Sequence, residues 1–281
     1  MISTETLAVT CGVSSALAWG TGGFCGGLAT RRGNLLTVIV FSQLIGAGFL
    51  LILSVLFAEK IPAFHLLSIG GIAGICGSFG LVAFYRGLAL GRMGIVAPIS
   101  AIVTAVIPVL FAIFNEGLPK TTKLYGFGIA LVSVWFLSHT TRDSKIRFNE
   151  LYLPVLAGFG FSLFFILIDR VSNEAILWPL FAGRLSSVCL LTLLLLKRNQ
   201  PKVPAKNQLL LIALAGVFET GGAGFFALAT RLGRLDISTV LAALYPAVTV
   251  LLAWYILKER LLRQQWVGVM IALFALVLIS I

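Results

Sequence analysis

Glu219 stands in the middle of an otherwise uncharged stretch, Ala215-Gly216-Val217-Phe218-Glu219-Thr220-Gly221-Gly222. A carboxylate at the centre of a bilayer is costly unless it is wet or paired. A carboxyl so placed carries a proton, grips a ligand amine, or hydrogen-bonds a neighbouring helix as a structural group. On a helical wheel it shares a small-residue face with Gly216, Gly222, Ala223 and Phe226. Arg184 is the matching cation. It either snorkels to the interface or meets an anionic group or carboxylate. Trp19 shares a face with Ser15, Gly22, Gly23 and Gly26. That face is a packing seam or the aromatic wall of a cavity, and aromatic walls suit amines and planar groups. Pro108 and Pro246 each free the carbonyl four residues earlier, at Thr104 and Ala242. Within a membrane such carbonyls need new partners. The candidate binding or coupling residues are therefore Glu219, Trp19, Arg184, Gln43, Thr104 and Tyr245. Pro108, Pro246, Gly77 and Gly222 are the candidate hinge or packing positions. Arg86 is expected to snorkel, Asp169 and Arg170 to form an exposed pair at the headgroups, and Glu116 and Glu259 to be structural.

The elements that must hold these side chains are helices in a membrane. Mean hydropathy is +1.05, 59% of residues are apolar and 11% are charged. A soluble domain carries about 25% charge. About 20 apolar residues cross the hydrocarbon as a helix. Ten such stretches are expected, at roughly 7–29, 35–57, 66–90, 94–114, 124–141, 151–170, 178–196, 208–230, 236–257 and 264–281. The pattern lacks the alternation of a membrane barrel. The fold class expected is all-α, integral to the membrane.

The chain also repeats itself. Residues 91–138 open Gly91-Arg92-Met93-Gly94-Ile95, pass Glu116-Gly117-Leu118 and close on Gly126-Phe127-Gly128-Ile129-Ala130-Leu131. Residues 233–280 open Gly233-Arg234-Leu235-Asp236-Ile237, pass Glu259-Arg260-Leu261 and close on Gly268-Val269-Met270-Ile271-Ala272-Leu273. The offset is 142 residues, with a one-residue slip around the glutamate. The expected units are 1–145 and 146–281, five helices each. An odd number of crossings inverts the second unit, and inverted repeats place a site near the midplane between the halves. In the second and seventh spans, Phe41-Ser42-Gln43-Leu44 falls opposite Ala182-Gly183-Arg184-Leu185, an offset of 141, so Gln43 faces Arg184 in the comparison. Glycines crowd the third span (Gly70, Gly71, Gly74, Gly77, Gly80) and the eighth (Gly216, Gly221, Gly222, Gly224). Small residues at this spacing permit close helix approach or leave space for a cavity.

Several classes are excluded. The net charge of +11 is spread over short loops, so nucleic acid is not a partner. Cys11, Cys25, Cys76 and Cys189 lie within spans as small hydrophobes. His65 and His139 sit near span ends, and no metal or other cofactor is expected. No phosphate-cradling glycine loop with lysine, no His-Glu-x-x-His and no paired intramembrane aspartates occur. The uncharged opening before Glu5 lacks the basic region of a cleavable signal, so the first span is read as retained. A short tail beyond Ile281 is expected. Loops after odd-numbered spans hold thirteen of the basic residues and those after even-numbered spans six. By charge, the former face the cytoplasm and both termini lie outside.

The arrangement resembles the EamA-type transporters of the drug/metabolite transporter superfamily. Trp19-Gly20 in the first span, Arg184 in the seventh, Ala243-Leu244-Tyr245-Pro246, Leu257-Lys258-Glu259-Arg260-Leu261 and Gly268 carry the likeness, echoed by Pro108, Glu116-Gly117-Leu118 and Gly126. Gln43 stands where an arginine is usual, and Gly158-Phe159-Gly160 replaces a second Trp-Gly pair. The resemblance implies a monomeric secondary transporter in a prokaryotic cytoplasmic membrane, not an enzyme. It would export a small polar metabolite, such as an amino acid, amine or nucleoside, by alternating access. Protons, other ions or exchange would drive it, and both termini would lie inside, against the charge count. An intramembrane enzyme and a non-transporting scaffold are the competing classes.

Overall fold

The computed structural model describes residues 3–31, 33–89, 93–137, 151–197, 203–258 and 262–280. Arg32, Arg92, His139, Arg142, Lys145, Arg147, Arg198, Lys202, Glu259 and Arg260 lie outside the described residues, as do Gly91, Leu261 and Ile281, the boundary expected near 145 and the expected end of the fifth span. The helices are α1 (Thr4–Thr30), α2 (Leu35–Leu56), α3 (Phe64–Ala89), α4 (Met93–Glu116), α5 (Thr121–Leu137), α6 (Tyr152–Ser172), α7 (Leu177–Lys197), α8 (Leu209–Leu232), α9 (Leu235–Ala242), α10 (Tyr245–Leu257) and α11 (Arg263–Ser280). Among the described residues no strand occurs. Among the described residues, eight segments are long and apolar enough to cross a membrane, with α9 and α10 together forming one of them. The chain is an all-helical integral membrane protein.

Packing follows the small residues. Lipid is as apolar as leucine, so helices associate through close contact and hydrogen bonds. α1 lies along α8, α3 lies along α6 and α7, α2 meets α7 and α8, α4 meets α6 and α9, and α5 pairs with α11. Two contacts show why glycine is needed. A Cβ on Gly74 of α3 would strike the Gly183 carbonyl of α7, and one on Gly216 of α8 would strike the Ser42 carbonyl of α2. Hydroxyls stitch the same seams: Ser15 donates to Gly222 O at 2.9 Å, Ser187 to Gly74 O at 3.0 Å and Ser133 to Gly268 O at 2.9 Å.

The two prolines are accommodated differently. α4 runs through Pro108 unbroken. The carbonyls of Val103 and Thr104 lie 3.1 and 3.4 Å from Ser162 Oγ, whose proton is shared with Gly158 O at 2.7 Å. The ninth span is instead two helices. It breaks at Ala243–Leu244, and Pro246 sits in the first turn of α10, where its missing N–H costs nothing. All eight residues of α9 are buried, whereas in α10 only Pro246 and Ala247 are.

Candidate functional site

Seven helices and the α9–α10 break surround one cavity of about 190 Å³. Trp19, Gln43, Thr104, Arg184, Glu219 and Tyr245 all line it, as does Gly77. The structure thus brings together the six polar and aromatic candidates. Of the hinge and packing candidates, Pro108, Pro246 and Gly222 do not line it. Gly222 is in the α1–α8 seam, where a Cβ would meet the Trp19 ring at 2.7 Å.

Each side chain is placed by its helix seam. Trp19 Nε1 donates to Glu219 O at 3.0 Å, which fixes the indole against α8. Its ring stacks on Phe165, with centroids 5.2 Å apart and planes at 8°, and Phe165 stacks on Phe226 at 4.2 Å. The face of α1 is therefore both seam and wall: Ser15 and Gly22 contact α8, and Trp19 and Gly23 border the cavity. Arg184 Nη1 donates to Gln43 Oε1. Gln43 has no charge of its own, so the guanidinium keeps its full charge and further donors for another group. Thr104 Oγ1 lies 3.5 Å from Gly158 O, at the outer limit of a hydrogen bond. Tyr245 opens α10 directly after the break.

Glu219 differs from Arg184 in having no such partner. Among the described residues, none donates a hydrogen bond to its carboxylate, and none forms an ion pair with it. Arg184 and Glu219 interact through their charges across the cavity without being in direct contact. The site thus holds a carboxyl and a guanidinium apart, each with unsatisfied capacity, between aromatic walls.

Several lining residues were not anticipated, four of them with a clear part in the site. Phe161, Phe164 and Phe165 of α6 form the wall facing Trp19, and the Ser78 hydroxyl is buried without a partner. The helical spacing of the phenylalanines was visible, but an apolar stripe in an apolar span does not reveal whether it faces lipid or a cavity. Asp169 corrects an expectation: it is half-buried, while Arg170 is exposed and lies over the Phe111 ring at 5.2 Å. Arg86 is exposed.

A polytopic helical membrane protein with one charged, aromatic-walled cavity among its helices is the class this fold and site define. Residues 149–281, from just before α6 to the end of the chain, match the model of the EamA-like transporter family, part of the drug/metabolite transporter superfamily. That match implies a small-molecule substrate and a lipid surround. A solved crystal structure shares the fold over 100% of this chain and 99% of its own, with a TM-score of 0.85 at 13% identity. No curated protein matches the chain.

Proposed function

We propose that this protein is a secondary transporter of a small metabolite carrying both a cationic amine and an anionic carboxylate, with a flat or apolar remainder. The observation that carries this reading is the separation of Arg184 from Glu219 within one cavity. A zwitterion of α-amino acid type supplies the carboxylate that a planar guanidinium recognises and the ammonium that Glu219 lacks. Trp19, Phe164 and Phe165 then take the side group.

Alternating access is the mechanism, and the two units 1–145 and 146–281 are its inverted halves. Two features support the inversion. Exchanging the halves maps the helix contacts onto themselves: α1–α8 onto α6–α3, α2–α8 onto α7–α3, and α1–α9 onto α6–α4. The ties at one end of the bundle also join starts of helices in one half to ends in the other. Arg234 before α9 reaches the end of α4, and Glu59 after the end of α2 accepts from Ile176 N and Leu177 N at the start of α7. Export, proton or ion coupling and a monomeric carrier follow the family resemblance.

The test is ligand stabilisation of the purified protein. Matched phenyl compounds are compared: phenylalanine, phenethylamine with the amine only, and phenylpropionate with the acid only. A ligand at 100 times its Kd stabilises by about 2.7 kcal/mol. The zwitterion should raise the unfolding midpoint and the singly charged analogues should not. Equal stabilisation by either analogue would refute the two-charge site.

A further inference from the structure

Resting on the transport reading, we propose that α9 is a movable plug between the cavity and one end of the bundle, latched shut by Arg234. Three observations make α9 distinct. First, it is detached: the break at Ala243–Leu244 separates it from α10, so it can move without carrying the lipid-facing half of the span. Second, it is enclosed. Every residue from Leu235 to Leu244 is buried, including Asp236, Ser238 and Thr239. A helix polar on part of its surface and buried on all of it fills the protein interior rather than facing lipid. Third, its two ends have different surroundings. Ala243, at its C-terminal end, lines the cavity with Tyr245. Its N-terminal end carries the latch, about 12 Å away for eight residues.

The latch is a fork with both halves of the chain in its grip. Arg234 Nη2 donates to Gly117 O at 2.6 Å and Nη1 to Glu116 O at 3.2 Å, which tie α9 to the end of α4. Nε and Nη2 also hold the buried Asp236 carboxylate at 3.1 and 2.9 Å. Asp236 in turn accepts from Ile237 N at 2.8 Å, locking the fork to the first turn of α9. The Glu116 carboxylate lies 3.7 Å from Nε. Beneath the latch, Leu235 and Ala242 of α9 join an apolar cluster with Leu66, Ala112, Val171 and Phe226. That cluster shares Phe165, Ile168 and Ala223 with the cavity wall. The passage at this end is therefore closed by packed apolar side chains, with α9 among them and Arg234 as its fastening. A ligand pressing on Ala243 and Tyr245 pushes the same rigid rod that the fork restrains.

Opening is measured by thiol access rather than by transport. The four native cysteines are replaced by serine, and Ser238→Cys supplies a single probe on the buried face of α9. Membrane vesicles are treated with a small charged methanethiosulfonate. In the parent background the probe should label slowly. Arg234→Ala should raise the rate by about tenfold, an opening made easier by about 1.4 kcal/mol. Arg234→Lys, which reaches one carbonyl but not the carboxylate and both carbonyls together, should lie between. An unchanged rate in a properly folded Arg234→Ala protein overturns the latch. A second arm avoids altering the fork: Leu118→Cys and Gly233→Cys are joined by a short cleavable bifunctional thiol reagent. The joined protein should keep the slow Ser238→Cys labelling rate and lose transport, and reduction should restore transport. Parent-rate transport while joined overturns the plug. If the unjoined parent carries no substrate at all, the transport reading fails, and the labelling rates still decide whether α9 opens.

Discussion

Removing the Glu59 carboxylate should destabilise the bundle by about 2 kcal/mol, and the structure shows how. Glu59 follows the end of α2 and reaches across to the start of α7. Its carboxylate accepts from Ile176 N at 2.9 Å, from Leu177 N at 2.9 and 3.2 Å, and from Trp178 N at 3.0 Å. Those amides are among the orphan donors of a helix start, and a negative charge there also meets the positive end of the dipole. A side-chain cap is worth about 0.5–2 kcal/mol and the dipole about 0.3–1 kcal/mol. Glu59→Ala therefore costs about 2 kcal/mol, since the freed amides at a helix end regain water in part. Trp178 Nε1 still donates to Glu59 O at 2.9 Å, because that acceptor is backbone. Glu59→Gln keeps one oxygen acceptor and loses the charge, so it should cost about half as much. The assay is equilibrium unfolding in mixed micelles with increasing denaturing detergent, followed by Trp fluorescence. A Glu59→Ala protein within about 0.5 kcal/mol of the parent would refute the cap as a stabilising tie between the halves.

Three further outcomes follow from the site and the seams. Arg184→Lys should weaken binding of the zwitterion by at least about tenfold, since one ammonium cannot hold Gln43 and a substrate carboxylate in a planar fork; if Arg184→Lys and Arg184→Gln both bind normally in a thermal-shift titration, the arginine has no part in recognition. Glu219→Gln should abolish gradient-driven accumulation in proteoliposomes if the carboxyl carries the coupling proton, leaving exchange intact; if it grips the amine, affinity itself falls, and normal accumulation with normal affinity removes Glu219 from the site. Gly74→Val should cost about 1–3 kcal/mol or prevent folding, because its side chain meets the rigid Gly183 carbonyl, whereas Gly221→Ala, which meets nothing within 4 Å, should unfold at the parent midpoint.

Much of this arrangement was legible because bilayer physics leaves few options. Span length, the glycine-rich third and eighth spans, and the isolated charges are direct consequences of an apolar solvent. Glu219, Arg184 and Trp19 stand out since polar atoms in such a solvent must face something other than lipid. What stayed hidden depends on three-dimensional partners. A proline reads the same whether the helix bends or breaks. Ser162 beside the Val103 and Thr104 carbonyls distinguishes Pro108 from Pro246, and it lies 58 residues from Thr104 in the chain. The 142-residue offset also sets Thr104 opposite Pro246. In the contacts, Thr104 Oγ1 approaches Gly158 O while Thr249 Oγ1 donates to Gly20 O at 3.0 Å, so Thr249 plays the matching part. A break in one copy shifts the register by nearly a turn, and similarity along the chain does not record it. Glu59 escaped notice for a related reason: a single acid in a loop looks like solvent-facing charge until the amides it caps are located.

On the proposed reading of two inverted halves, the scaffold is repeated but the chemistry is not, and this difference bears on how such a carrier would work. Glu219 corresponds by the 142-residue offset to Gly77, and both border the cavity. Gly222 faces Trp19, and its counterpart Gly80 faces the Ala157 carbonyl, so the indole has only an alanine as its mate. Arg184 and Gln43 are counterparts that hydrogen-bond each other, as two equivalent positions do when they meet at an axis relating the halves. Two arginines there would repel at contact distance, and two carboxylates at positions 77 and 219 would share one cavity with like charge. A single guanidinium and a single carboxyl avoid both repulsions. A symmetric scaffold provides two related conformations, and the asymmetric replacement of glycine, alanine and glutamine by glutamate, tryptophan and arginine on one member of each pair provides a site that is compatible with passing between them.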